Sequence, residues 1–485
     1  MFQTYLLTIA VYVGSGIYTA GIPYITSEFH VSDVAATVGL TAFVAGYGLG
    51  SSKHSLSCLF LILTTVLSGP MVWAPLSEVP QIGRMPIYIL TLAVFVVLQV
   101  PTALATNYGM LIAFRFLTGL FGSPILATGG ATIADLYAPK KRAYGMTLWG
   151  VFATCGPSLG PLLGGFSAHF EGWRWTIWEL MWLSGATLIL LFFFFPETSA
   201  SNILYRRASR LRKATGNPSI KSASEIAMAA MSPRDLAVDV LVRPITLNFQ
   251  EPIVLALNVY IGLIYALLYI WFESFPIVFI GIYHWREQLL GLSFLGIFVG
   301  ALVVMPPFFA YLYYVQEPKY NDKGELKPEE RMPAAIFGAF LVPICMLWFG
   351  WTSRASVHWI VPIIGSSLFS VAALLLFVSA TSLVHVLTSR HVTDLCRRQN
   401  AVLNYLADAY PTYAASVLAG NDFIRSMFGA GFPLFAGAMY RNLGVGWAST
   451  LLALLACAFV PIPILLYKYG ERIRMASKRA RHDYE

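Results

Sequence analysis

The sequence predicts an all-α polytopic membrane protein built as two six-helix bundles. Three observations carry that prediction. Apolar runs of about 20 residues, the length that crosses a hydrocarbon core, recur along the 485 residues. Only 12% of the residues are charged against 57% hydrophobic, a balance foreign to soluble domains of this length. Lysine and arginine gather in alternate loops, and one long polar stretch divides the chain into halves of similar size.

The spans follow in order. Span 1 covers about 4–24 and is expected to be a true span rather than a cleaved leader. Span 2 runs from Val34 through Gly50. Spans 3 and 4 lie at about 86–105 and 108–132. Lys140, Lys141 and Arg142 precede span 5, which ends near Ser167. Span 6 runs from Trp173 to about Phe195 and stops at Pro196-Glu197-Thr198. Residues 1–198 therefore form the N-terminal bundle, and 199–250, rich in Lys, Arg and Ser, a central loop with room for short amphipathic helices. The second bundle, 251–468, holds spans at about 252–281, 287–315, 333–352, 357–377, 405–439 and 445–468, and a basic tail occupies 469–485. The loop before span 5, the central loop, the 316–332 loop and the tail carry most of the positive charge, which places them and both termini in the cytoplasm. The formal charge of +8 is thereby a matter of orientation and implies no nucleic-acid partner. Two halves about a midplane site suggest a repeat, although no sequence repeat is visible.

Span 5 is the least ordinary. Gly156, Gly160 and Gly164 recur every four residues and share one helix face, so a neighbouring helix can approach to backbone contact. Pro157 and Pro161 each remove a backbone donor and favour a bend. The freed carbonyls then require a neighbour or a cavity. Gly165 completes the stretch.

Ionisable side chains inside spans are functional suspects because hydrocarbon penalises them. Arg115 in span 4 and Glu273 in span 7 stand out, the latter as the first candidate to take up a proton, with Glu179 in span 6 as runner-up. Asp408, Asn421, Asn258 and Tyr260 are candidates to line a substrate cavity, though Asn and Tyr in spans also serve as helix–helix contacts. Most Trp and Tyr residues are expected in interfacial belts. His30, His169, His284 and His358 are expected in solvated loops. Cys58, Cys155, Cys345, Cys396 and Cys457 have no metal-ligand spacing and read as core packing. No nucleotide loop, metal cluster or nucleophile–base pairing marks the chain as an enzyme, and no cofactor is implied.

Several of these stretches resemble the major facilitator superfamily, in its twelve-span fungal drug:proton antiporter group. They are Arg115-Phe-Leu-Thr-Gly119, the Gly156-Pro157…Gly160-Pro161…Gly164-Gly165 stretch, and the loop from Pro75 through Glu78 to Gly83-Arg84. Pro196-Glu197-Thr198 and Tyr405-Leu-Ala-Asp408-Ala-Tyr410-Pro411 with Ala419-Gly420-Asn421 are similar to its polyamine/proton branch. The resemblance covers nearly the whole chain. It implies alternating access, with Arg115 in the proton-coupling motif and the span 5 stretch as an antiporter motif that limits proton leak. Glu78 and Arg84 would gate the loop between spans 2 and 3, and Asp135 at the end of span 4 could meet them. It further implies a plasma-membrane monomer whose partners are protons, the lipid bilayer and a small organic substrate: a drug, toxin, secondary metabolite or polyamine. Uptake by symport, or a non-transporting protein, are the alternatives.

Two stretches depart from the resembled pattern. Residues 51–69 interrupt one helix, and 378–399 place His391, Asp394, Arg397 and Arg398 where apolar sequence is expected. Both read as in-frame introns: Val378-Ser379 can be encoded by a donor-like GTAAGT and Gln399 by an acceptor-like CAG, while removing Ser51 through Gly69 restores Gly-Pro. The alternative is a genuine looped insertion. The polar lead before span 1 is shorter than the family's, so a truncated start is expected.

Overall fold

A computed structural model describes residues 1–46, 73, 76–77, 79–137, 139–229, 252–319, 332–382 and 414–476. The first span is α1 (Phe2–Gly16), a 3-10 turn (Ile17–Gly21) and α2 (Ile22–Phe29). Then come α3 (Asp33–Gly46), α4 (Met85–Ala103), α5 (Tyr108–Leu136), α6 (Pro139–Glu171) and α7 (Trp173–Phe194). Outside the spans lie α8 (Ala200–Thr215) and α9 (Ala223–Ala229). The second half has α10 (Pro252–Phe275), α11 (Glu287–Ser293), α12 (Leu295–Tyr311), α13 (Met332–Thr352), α14 (Ile360–Ser382), α15 (Ala414–Phe459) and α16 (Pro461–Ala476). Eight segments among the described residues are long and apolar enough to cross a membrane unaided. One of them is two antiparallel spans joined at Gly444, whose φ of 74° breaks the helix where the 440–444 loop was expected. With the shorter α3 and α14 and the glycine-rich α6, the helices supply the twelve expected spans.

Local chemistry sets the boundaries. Asn107 caps α5 by accepting from the Met110 backbone N–H at 2.8 Å. Gly172, at φ 84°, separates α6 from α7. Pro276 cannot donate to its own helix, and α10 passes there into a wide π turn, Pro276–Ile282. The helix of α14 continues through Ser382, so 378–382 extend span 10 beyond its expected end. Residues 51–69 and 383–399 lie outside the described residues.

The halves repeat in three dimensions. Span 1 packs on span 5 as span 7 packs on span 11, and span 2 packs on span 4 as span 8 packs on span 10. Between the halves, α3 meets α15, and α6 meets α11, α12 and α14. The span 5 glycines serve the first kind of contact. A Cβ on Gly156 would stand 2.5 Å from the Tyr12 Cβ, and one on Gly160 would stand 2.3 Å from the Ile17 nitrogen. The Pro157 carbonyl, which Pro161 cannot serve, lies against Gly16, where a Cβ would come within 2.0 Å. α6 is a single helix despite both prolines. On its other side, a Cβ on Gly291 of α11 would reach 2.4 Å from the Pro161 oxygen.

Burial follows position. The best apolar window of α10 is 83% buried and that of α7 only 28%, so α10 is central and α7 turns Phe192, Phe193 and Phe194 to the surrounding lipid. Trp175, Trp182, Trp348, Trp351, Trp359 and Trp447 are exposed, whereas Trp271, Tyr12, Tyr18, Tyr88, Tyr269 and Tyr440 are exceptions to the expected belts and are fully buried. Hydroxyl bonds explain two of these, Tyr18 to the Ala36 carbonyl and Tyr88 to Thr128 and Thr132. Cys155 and Cys345 are packed in the core, but Cys457 is exposed on α15, a correction. Cys58 and Cys396 lie outside the described residues. His30, His169, His284 and His358 are exposed as expected, but His169 lies in the last turn of α6 and not in a loop.

Candidate functional site

Polar side chains gather at three depths. At the end carrying the basic loops, Arg84 Nη1 and Asp135 Oδ2 are 2.7 Å apart, with side chains 4% and 2% exposed. The expected meeting of Asp135 with the 2–3 loop is present. Gly83, at φ 78°, lets the chain turn against Glu197 and Asn202, which a Cβ would strike. Glu197 accepts from the backbone N–H groups of Arg84, Met85, Thr198 and Ser199 at 2.9–3.2 Å, and Asn202 donates to the Pro80 carbonyl. The carboxylate thus fastens the start of α4 to the end of α7, an acid where a helix N-terminus favours one. Glu78 lies outside the described residues.

Arg115 is fully buried within the N-terminal half. Its guanidinium donates to the carbonyls of Gly14 and Gly39, at 3.0 and 3.3 Å, and lies over the Tyr18 and Phe43 rings. Those partners belong to α3 and the first span. One turn on, Gly119 packs against Gly46 so closely that a Cβ on either would collide with the opposing backbone.

The end away from the basic loops holds Glu273. Thr37 of α3 donates to its Oε1 at 3.4 Å, and a Cβ on Gly437 would stand 3.6 Å from its Oε2 and 3.4 Å from Arg441. Arg441 in turn reaches Asp33 at 3.3 Å. Glu273 therefore joins α10 to α3 of the other half and lies beside α15. Thr41 extends this seam by donating to the Ala430 carbonyl.

The other candidates are dispersed. Asn421 donates to Asn258 at 2.6 Å, so these two pin α15 to α10, both buried. Tyr260 stacks on Phe459 at 5.9 Å, within the second half. Glu179 lies beside Ser167 between α7 and α6, apart from the Glu273 group. Asp408 lies outside the described residues. No group of three His, Cys, Asp or Glu able to hold a metal is present among the described residues.

Between the two ends lies a pair that sequence reasoning missed. Asp422 and Arg425, 4% and 7% exposed, form an ion pair one turn apart on α15. The Tyr265 ring stands 4.9 Å from the guanidinium, and Tyr12 of the first half lies beside the pair. The signal was available: opposite charges three residues apart in an otherwise apolar stretch, beside the Asn421 already singled out.

This arrangement of helices has counterparts among known proteins. The family profile described as Major Facilitator Superfamily matches residues 4–395. The chain belongs to the major facilitator superfamily. It is 44% identical to "Transporter mfs1" of Schizosaccharomyces pombe, over 99% of this chain and 84% of that protein. It is 39% identical to "Fluconazole resistance protein 1" of Saccharomyces cerevisiae, over 98% of this chain and 80% of that protein. Among solved structures, the proton:xylose symporter XylE superposes with a TM-score of 0.60 at 15% identity, covering 96% of this chain and 94% of that one. That likeness is one of fold, the superfamily's all-α arrangement of membrane helices.

Proposed function

We propose that this chain is a proton-coupled efflux transporter that exports small organic compounds by alternating access. The observation that carries the coupling is Glu273, a carboxylate set where the two halves meet, bonded to Thr37 of one half and beside Arg441 of the other. A proton gained or lost there changes the charge balance with Arg441 and Asp33, and so the cohesion of the seam. Arg84 and Asp135 act at the opposite, cytoplasmic end as the second gate, and Arg115 supports the N-terminal half. The span 5 motif keeps α1 and α6 in backbone contact and seals the seam with α11 against proton leak. The export direction is supported by the drug-resistance name of a relative 39% identical to this chain. The substrates are drugs, toxins, secondary metabolites or polyamines, the membrane is the plasma membrane with both termini cytoplasmic, and the protein acts as a monomer.

The test is retention of labelled fluconazole, cycloheximide and spermidine in cells lacking their own exporters. The full chain is expected to lower retention of at least one, a protonophore to abolish the effect, and Glu273→Gln to do the same without loss of protein from the membrane. Export that persists with the protonophore, or accumulation instead of loss, overturns the reading.

A further inference from the structure

An exchanger needs a carboxylate that each side of the membrane reaches in turn, and Glu273 stands toward one end of α10. The Asp422–Arg425 pair is deeper. Tyr12, Tyr265 and Arg425 all lie in the middle portions of their spans. Charges at such depth cost about 2.5–3.5 kcal/mol each on insertion scales, and well-packed apolar side chains generally serve stability as well as a buried pair does. One oxygen of Asp422, Oδ1, is taken by Arg425. The other, Oδ2, is buried and has no hydrogen-bond partner among the described residues. It is an acceptor awaiting a donor.

The approach to it is equally specific. Tyr265, Tyr269 and Glu273 are spaced by four and share one face of α10, and the two tyrosine hydroxyls are 3.3 Å apart. The opposing face of α15 is cut back with glycine. A Cβ on Gly429 would stand 2.8 Å from the Tyr265 ring, and Gly437 leaves room for Glu273 and Arg441. Polar groups therefore succeed one another between α10 and α15, from the exposed Asp33–Arg441 pair to the midplane.

We propose that Asp422 is the midplane carboxylate that exchanges a proton for substrate, and that protons reach it from the Arg441 end along the α10 face carrying Glu273, Tyr269 and Tyr265. The proposal rests on the proton-coupled reading above. On uptake an O–H bond forms at Asp422 Oδ2 and the donor's O–H bond breaks. A tyrosine hydroxyl that gives up its proton regains one from the side of Glu273, so nothing is oxidised or reduced. Arg425 loses its counter-charge beside Tyr12 of the other half and the Tyr265 ring, which carries the protonation state across the seam. The groups at Asp422 are Arg425 on its own helix and Tyr12 on α1, with Tyr265 of α10 against Arg425 and Tyr269 beside Tyr265. Those facing Glu273 are Thr37 and Asp33 on α3 and Arg441 on α15.

The experiment uses the full chain in proteoliposomes with whichever of fluconazole, cycloheximide and spermidine the wild type exports from cells. Wild type is expected to concentrate the labelled compound against an imposed pH gradient and to exchange labelled for unlabelled compound without one. Asp422→Asn is expected to lose gradient-driven accumulation and retain exchange, now insensitive to pH. Tyr269→Phe is expected to slow accumulation and leave exchange alone. Accumulation by Asp422→Asn equal to wild type overturns the proposal, as does joint loss of exchange and accumulation with both restored in Asp422→Glu. Should Asp422→Asn not reach the membrane, Asp422→Glu decides: a displaced pH profile is expected, and an unchanged one overturns the proposal. Absence of gradient-driven accumulation by the wild type removes the proton-coupled reading itself, a distinguishable failure.

Discussion

Two buried arginines, one in each half, are held in opposite ways. Arg115 is clasped by backbone carbonyls of Gly14 and Gly39 and by the Tyr18 and Phe43 faces, all within its own half. Arg425 is held by the Asp422 carboxylate, with Tyr12 from the other half beside the pair. The Gly14 and Gly39 carbonyls carry no titratable group, so those two bonds do not depend on pH. A carboxylate can change charge, so the second clasp is conditional and reports across the seam. The contrast teaches that an arginine in a span becomes a switch through its partners, not through its own chemistry.

The strongest way to break this comparison is to remove each arginine. Arg425→Ala leaves Asp422 without its counter-charge and is expected to destabilise by about 3–5 kcal/mol. Arg115→Ala leaves the Gly14 and Gly39 carbonyls without this donor, and each lost charged hydrogen bond is worth about 1.5–3 kcal/mol. Thermal unfolding of the purified proteins checks both. Asp422→Asn should relieve Arg425→Ala and leave Arg115→Ala unchanged, and relief of both would erase the distinction.

The next effect tests whether the first half is held as rigidly as its arginine suggests. Gly160→Ala places a Cβ 2.3 Å from the Ile17 nitrogen. Overpacking of this kind costs about 1–3 kcal/mol. A lowered unfolding temperature is expected with the α1–α6 contact loosened, whereas Gly172→Ala, with open space around it, acts only through its positive φ.

The smallest effect lies outside the membrane and supplies a reference for a charge contact with little to do. Arg212 and Glu225 join α8 to α9 at 2.8 Å. The hydrogen bond from Arg212 holds the Glu225 carboxyl below its usual value of 4.5. A lowered folded value means the stabilisation is present above the usual carboxylate range and fades as pH falls through the folded value. Protection of 200–229 in hydrogen exchange, taken relative to the intrinsic rate at each pH, should therefore fall on acidification, only modestly for an exposed pair. Arg212→Ala should lower that protection slightly at every pH and remove the pH response.

Legibility differed with the kind of signal. Span positions were readable because a bilayer demands about 20 apolar residues in sequence. The glycine face of span 5 was readable because its period is helical. The Arg84–Asp135 contact was foreseen from their placement at adjoining span ends. Asn258 and Asn421 were foreseen as residues but not as each other's partner, since 163 positions separate them. Asp422 went unremarked because a charge cancelled by Arg425 one turn away looks like a helix pair, and its depth emerges only when Tyr12 closes over it. Glu179 drew notice by its charge alone, yet α7 is peripheral.

The sequence by itself determined that the chain crosses the membrane, where its helices start and stop, and which segment needs close backbone approach. Those are local matters of hydropathy, period and turn chemistry. The six-plus-six division suggested a repeat, but only tertiary structure displayed it, because the repeat lies in helix pairing and not in residue identity. It also decided which ionisable groups meet across the seam. Glu273 with Thr37, and Arg425 with Tyr12, are joined by contacts over more than two hundred residues. Burial and partner, the two quantities that turn a charged residue into a functional one, belong to the packed helices and not to the chain.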